Sequence, residues 1–165
     1  MRIYLIGFMG SGKSALGRQL AILLHTAFVD LDEMFEKRYR ISIYDFFATY
    51  GEDHFRKAER ELLLETAVME NTLISTGGGT PCFYDNMKFI TSHGISVYLR
   101  MTTEELAGRL KNLRRKRPLL RNIEAVGLEP WIKEQLQTRE GFYLQATHIF
   151  YPLAESLEDL VLKLK

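Results

Sequence analysis

The chain has 165 residues, 46% hydrophobic and 26% charged, with a formal net charge of +1. That length can bury one core without disulfide staples, and the composition belongs with soluble globular proteins rather than disordered or membrane-spanning chains. A near-balanced charge gives no strong overall field for nucleic acid or anionic lipid, so any anion site has to be built locally.

A single cysteine, Cys82, excludes an internal disulfide and fits a reducing compartment. The four histidines, His25, His54, His93 and His148, lack metal-ligand spacing. Arg2 precedes an apolar run too short for a signal peptide, which ends in glycines and Lys13 with no cleavage-like tail. The cytoplasm is therefore the expected location.

Ile3 to Ile6 is a continuous apolar run closed by Gly7, the pattern of a strand covered on both faces in a parallel sheet. A helix is predicted from Lys13 to about His25, with Leu16, Leu20, Leu23 and Leu24 on one face, and a second strand over Ala27 to Leu31. From Asp32 to about Met69 the period is helical, broken near Tyr50-Gly51. Thr72 to Thr76 reads as a strand, Tyr84 to Ser92 as a helix, and Ile95 to Leu99 as a strand with alternating apolar residues.

Thr102 or Thr103 can cap a helix to about Asn112, since Glu104 and Glu105 favour its positive end. A basic stretch follows, then a helix from about Glu129 to Gln145, a strand over His148 to Phe150 and a closing helix from about Leu153. Alternating strands and helices make this an α/β fold with a parallel sheet and right-handed crossovers, expected as one domain over residues 1–165.

Gly7-Phe8-Met9-Gly10-Ser11-Gly12-Lys13-Ser14 matches the phosphate-loop pattern in its proper context, after a strand and opening a helix. Polyphosphate oxygens must be held without bulky side chains intervening. Glycines let backbone N–H groups turn inward, the helix offers its positive end, Lys13 brings a charge and Ser14 can ligate magnesium. The pattern predicts Mg-nucleotide binding and is silent about who receives the phosphate.

Asp30 and Asp32 stand at the end of the second predicted strand, where open parallel sheets place ligands. On a strand the two would share a face, one supporting a magnesium shell and the other taking a proton from an acceptor hydroxyl; a polar strand end with a helix cap is the plainer alternative. Arg56 and Glu59 lie three apart on a predicted helix, so the carboxylate can orient the guanidinium towards a substrate carboxylate, although most such pairs are solvated surface pairs. Gly77-Gly78-Gly79 ends a strand at an entropic cost that close approach to a ligand, or a tight turn, would explain. The stretch Lys111 to Arg121 holds Lys111, Arg114, Arg115, Lys116, Arg117 and Arg121, interrupted by Pro118. It reads as a solvated face, a nucleic-acid patch, or a lid whose arginine closes on a transferring phosphoryl group.

Taken in order from Gly7 to Tyr143, these motifs resemble the shikimate kinase family of nucleoside-monophosphate-kinase-like phosphate-loop proteins. The resemblance implies a five-stranded parallel sheet in the order 2-3-1-4-5, flanked by helices. A substrate-binding helical segment is expected over about 32–70 and a lid over about 111–125. It implies transfer of the ATP γ-phosphoryl group to the 3-hydroxyl of shikimate, with Mg2+, in the route to chorismate and aromatic amino acids. Gly10, Ser11, Gly12, Lys13, Ser14 and Ala15 would hold the nucleotide, with Asp30 and Ser14 on the metal side. Asp32 and Gly78 would meet shikimate, Arg56 would grip its carboxylate, and Arg117 of Arg117-Pro118-Leu119-Leu120 would reach the phosphates. Arg109 resembles the arginine that stacks near adenine.

Arg139 with Tyr143 matches the stretch that supplies a second carboxylate-binding arginine, but Glu140-Gly141-Phe142 departs from the usual Pro-Leu before the Tyr, and Gly141 can loosen that helix. The resemblance further suggests a monomer, with no nucleic-acid or membrane partner. Rival readings are a related small-metabolite kinase such as a gluconate kinase, a GTP-binding switch, and a nucleic-acid-binding protein. Arg56, the glycine triple and Arg139 favour a carboxylated ring, no Asn-Lys-x-Asp guanine-reading segment occurs, and the near-neutral charge disfavours nucleic acid.

Overall fold

The computed structural model describes residues 1–113, 123 and 127–165. Five strands, β1 (Arg2–Ile6), β2 (Ala27–Asp30), β3 (Thr72–Ser75), β4 (Ile95–Leu99) and β5 (His148–Phe150), form one sheet in the order β2-β3-β1-β4-β5. Every strand pair is parallel, with Ile3 opposite both Leu73 and Ile95. The expected topology is therefore the observed one.

Side chains alternate across a strand, so the apolar run of β1 feeds two cores. Ile3 and Leu5 join Leu73, Val97, Leu99 and Phe150 beneath α1 (Lys13–Leu24) and the last helix, α8 (Leu157–Leu164). Tyr4, Ile6 and Phe8 join Ile74 and Tyr98 on the opposite face. There they meet α2 (Leu31–Tyr39), α3 (Ile43–Tyr50), α4 (Glu52–Glu65), α5 (Asn86–His93), α6 (Thr103–Leu113) and α7 (Leu128–Tyr143). Fully burying a large apolar side chain contributes about 1.5–3 kcal/mol. The tyrosines on this face keep partners: the Tyr4 hydroxyl meets Thr66 Oγ1 at 2.9 Å and Tyr98 donates to Glu140 Oε1 at 3.3 Å. The β4 residues read as alternating are covered on both faces, because helices pack on each side of the sheet: Tyr98 joins one core, Val97 and Leu99 the other.

Several boundaries differ from the sequence reading. The second strand stops at Asp30 instead of Leu31, because Asp30 caps α2, accepting from the N–H groups of Asp32 at 2.9 Å and Glu33 at 3.2 Å. The helical stretch after it breaks at Gly51, as read, and once more between α2 and α3, where Arg40 adopts a left-handed conformation and Ser42 caps α3. The closing helix begins at Leu157, not Leu153, where Ser156 and Asp159 form a reciprocal capping box. On α1, Leu20 is buried but Leu23 is 41% exposed, so the apolar stripe is narrower than its leucines suggest. Gly141 does not interrupt α7, which runs on to a fully buried Tyr143. Among the described residues no helix is long and apolar enough to cross a membrane.

Candidate active site

The loops after β1, β2 and β3 meet at the C-terminal edge of the sheet, around a cleft of about 730 Å3. Its nucleotide end is the loop from Gly7. Gly10 has φ +80° and Gly12 φ +90°, conformations that any other L residue resists, so backbone dictates glycine at both. Gly12 caps α1 without a side-chain hydrogen bond, and no acidic residue lies in the first turn. The positive end of α1 is thus uncompensated by its own side chains, as an anion site requires.

Lys13 is the first residue of α1 and is only 8% exposed. Its ammonium donates to the carbonyls of Gly7 at 2.7 Å and Phe8 at 3.0 Å, so the side chain folds back over its own loop. Ser11 is buried within that loop, and its hydroxyl has no hydrogen-bond partner among the described residues. From α6, Arg109 extends over the loop and donates to the Gly10 carbonyl at 3.3 Å.

The two aspartates reach the cleft differently from the expectation of one strand face. Asp30 ends β2, whereas Asp32 lies in the first turn of α2. Asp30 divides its oxygens: Oδ1 caps α2 and Oδ2 accepts the Ser14 hydroxyl. The cap reading and the metal-side reading are therefore both compatible with one carboxylate. Asp32 stands beside the glycine turn, where a Cβ on Gly77 would lie 3.1 Å from its Oδ1.

Arg56 and Glu59 form a buried ion pair at 2.9 Å on α4, not the solvated pair that is common at such spacing. Removing one member of such a pair leaves an uncompensated charge, a loss of about 3–5 kcal/mol. The Arg56 guanidinium also approaches Glu52 Oε1 at 3.3 Å and lies 4.0 Å from the Phe83 ring centroid. Arg139, on α7, lies over the Phe8 ring at 5.6 Å and borders Gly78. The two guanidiniums thus flank consecutive glycines. Tyr143 donates to the Gly78 carbonyl, and burial raises its phenol well above the ordinary range, so it stays a neutral donor. Burial likewise pushes the Cys82 thiol up to about 11, against the pull of Arg139 and Arg56, which leaves it a poor nucleophile.

Gly10, Gly12, Lys13, Ser14, Ala15, Asp30, Asp32, Arg56, Gly78, Arg109 and Arg139 all line this one cleft. Arg117 and Pro118 to Leu120 lie outside the described residues, as does most of the basic stretch. Glu52, Phe47 and Trp131 line the cleft without having been singled out. Trp131 had a legible signal, since positions 131, 135 and 139 follow one another on a helix face and place it with Arg139. Glu52 had one as well, standing four residues before Arg56 on the same helix face, whereas Phe47 carried none.

The residues fit a magnesium ion in one respect that can be tested on geometry. Ser14 and Asp30 bring oxygen atoms together at the start of α1, and no group of three or more Asp, Glu, His or Cys residues elsewhere among the described residues would hold a metal. One carboxylate and one hydroxyl suit magnesium, which keeps several waters and takes its remaining ligands from phosphates.

The family model for shikimate kinase matches residues 9–164. A shikimate kinase of Parabacteroides distasonis is 44% identical over 149 residues, which cover 90% of this chain and 86% of that protein. The 1.7 Å crystal structure of shikimate kinase from Bacteroides thetaiotaomicron superposes with a TM-score of 0.91 at 40% identity, covering 99% of this chain and 96% of that one. Shikimate kinase from Acinetobacter baumannii in complex with shikimate gives a TM-score of 0.87 at 32% identity, over 98% and 89%. A family-model match over nearly the whole length, on a fold whose strand order and phosphate loop agree with it, makes this chain a member of the shikimate kinase family.

Proposed function

We propose that this chain is an ATP-dependent shikimate kinase, forming shikimate 3-phosphate and ADP within a single kinase domain. The observation that carries the reading is one cleft lined by a phosphate loop, by two arginines flanking Gly78-Gly79 and by Asp32 beside the same glycine turn. The loop suits a polyphosphate and the arginines suit a carboxylate, and the chain's family supplies the acceptor.

Transfer requires the acceptor hydroxyl in line with the γ-phosphorus. Arg56, braced by Glu59, holds the shikimate carboxylate with parallel hydrogen bonds, and Arg139 meets the same end from α7. Gly78 offers backbone contact. Asp32 orients the 3-hydroxyl and accepts its proton as the oxygen bonds to the γ-phosphorus; the bond to the β–γ bridging oxygen breaks and ADP leaves. Loop N–H groups from Gly10 to Ala15, with Lys13, stabilise the charge gathering on the phosphate oxygens. Arg109 is assigned to the adenine side and Arg117 to the lid that meets the phosphates. Ser14 and Asp30 would hold magnesium, which would supply neutralisation of phosphate charge. A monomer in the cytoplasm is the accompanying assignment.

The direct test is a coupled ADP-release assay across a panel of hydroxy acids including gluconate, with product identification. Activity confined to shikimate supports the reading, and preference for another acid overturns it.

Asp30 allows a cleaner separation of roles. Asn caps a helix about as well as Asp, so Asp30→Asn should change stability by less than about 1 kcal/mol. It should weaken Mg-ATP binding by about tenfold or more, through loss of the carboxylate beside Ser14. Titration of ATP with and without magnesium checks this, and an equal loss under both conditions would remove Asp30 from the metal side.

Arg56→Lys keeps the charge and loses the fork, so the KM for shikimate should rise about tenfold or more while that for ATP moves less than about twofold. A carboxamide analogue of shikimate should penalise the unsubstituted enzyme far more than the variant, because both changes delete one contact. Additive penalties in that four-way comparison would release Arg56 from the carboxylate.

A further inference from the structure

We propose that Thr80 is a positioning residue for substrate capture, acting through Glu59 on the guanidinium of Arg56. The proposal rests on the assignment of Arg56 to the substrate carboxylate and extends it to a residue outside the cleft lining.

Glu59 is 4% exposed and divides its carboxylate between two partners. Its Oε1 accepts from Arg56 Nη1 at 2.9 Å, and its Oε2 accepts from the Thr80 hydroxyl at 2.8 Å. The terminal torsion of a glutamate is broad by itself, so the rotation of this carboxylate is set by what it bonds. With Thr80 in place, one orientation satisfies both oxygens, and that orientation places the acceptor for Arg56.

Thr80 is itself fully buried and fixed. Its N–H donates to the Gly77 carbonyl at 3.2 Å, and its own carbonyl accepts from Asn86 Nδ2 at 2.8 Å. Asn86 is tied in turn to Arg60 at 2.6 Å. The hydroxyl is thus a fixed donor on a braced turn, well suited to orient a carboxylate.

The guanidinium is confined by its surroundings as well. A Cβ on Gly79 would lie 2.5 Å from Nη2 and 2.9 Å from Cζ of Arg56. Gly79 has φ −92° and ψ −11°, open to any residue, so the arginine and not the backbone requires glycine there. With Nη1 on Glu59 and Nε near Glu52, Nη2 has no hydrogen-bond partner among the described residues. Nη2 and the second hydrogen on Nη1 remain for a ligand carboxylate. Swinging the Glu59 carboxylate would turn this pair away from the ligand.

The experiment compares the unsubstituted enzyme with Thr80→Val, Thr80→Ser, Arg56→Lys and the Thr80→Val/Arg56→Lys double variant. Shikimate dissociation constants without nucleotide are read beside KM values for both substrates. Thr80→Val should raise the Kd and KM for shikimate about tenfold, with the KM for ATP within about twofold, and Thr80→Ser should restore the values to within about twofold. In the Arg56→Lys background the valine substitution should add less than about twofold, because its effect passes through the lost fork.

A shikimate Kd and KM unchanged by Thr80→Val, or a full penalty in the Arg56→Lys background, overturns the proposal. If Arg56→Lys leaves the shikimate KM unchanged, the carboxylate assignment falls and the proposal with it; if only Thr80→Val is silent, the proposal alone falls. Should the valine variant fail to fold, Thr80→Ala is read by the same criteria. Failure of both to fold overturns the positioning role, leaving Thr80 structural.

Discussion

Lys13→Ala is expected to lower turnover by about a thousandfold or more, the largest loss from any single substitution considered. The β- and γ-phosphates concentrate negative charge during transfer, and Lys13 is the one basic side chain of the phosphate loop itself. Its ammonium is held by the Gly7 and Phe8 carbonyls at 2.7 and 3.0 Å, so the charge is kept beside the loop that cradles the phosphates. When nucleotide arrives, phosphate oxygens replace these carbonyls as its partners, with the charge already at the loop where it acts.

The fold should survive this change. Two carbonyls lose a donor, at about 1–2 kcal/mol in total, and the adjoining cleft admits water to replace it. For a chain of this size the melting temperature should fall by less than about 8 °C. Steady-state turnover and thermal unfolding of the same preparation check both halves. Near-normal turnover would overturn the phosphate-loop assignment. If alanine proves unstable, Lys13→Met retains the aliphatic stem and is expected to lose the same activity.

The second large effect is expected at Asp32. Asp32→Asn should reduce turnover by about a hundredfold at saturating shikimate, because the amide cannot accept the hydroxyl proton. ATP binding should change by less than about threefold, since it is Asp30, not Asp32, that meets Ser14. Asp32 lies in the first turn of α2, where a negative charge also favours the helix, by about 0.3–1 kcal/mol. Loss of that small term should appear in unfolding experiments without accounting for a hundredfold kinetic change. Unchanged turnover at saturating shikimate would remove Asp32 from the reacting centre. An equal fall in ATP affinity would move it to the nucleotide side.

The nucleotide half of the site was legible from local chemistry alone. Gly10 and Gly12 need positive φ, Lys13 and Ser14 follow at fixed spacing, and the apolar run of β1 announces a strand covered on both faces. Each signal lies within a few residues of the next, so backbone geometry links them before any tertiary contact forms. The strand order followed from the family resemblance, and the pairing of β1 with both β3 and β4 agrees with it.

The acceptor half depended on contacts between residues distant in the chain. Spacing placed Asp30 and Asp32 on one strand face; instead Asp30 caps a helix and Asp32 belongs to it, because the cap satisfies two N–H groups that a longer strand would have spent elsewhere. Helical spacing brought Arg56 near Glu59, but burial of that pair comes from Phe83 and the glycine turn packing over α4. Thr80 reaches Glu59 across 21 residues and Tyr143 reaches Gly78 across 65. Amino-acid order alone determined where phosphate is held, since a strand, a glycine loop and a helix start suffice for that. How a guanidinium is aimed at a carboxylate was decided by the tertiary structure, because direction is set by neighbours that only folding brings together.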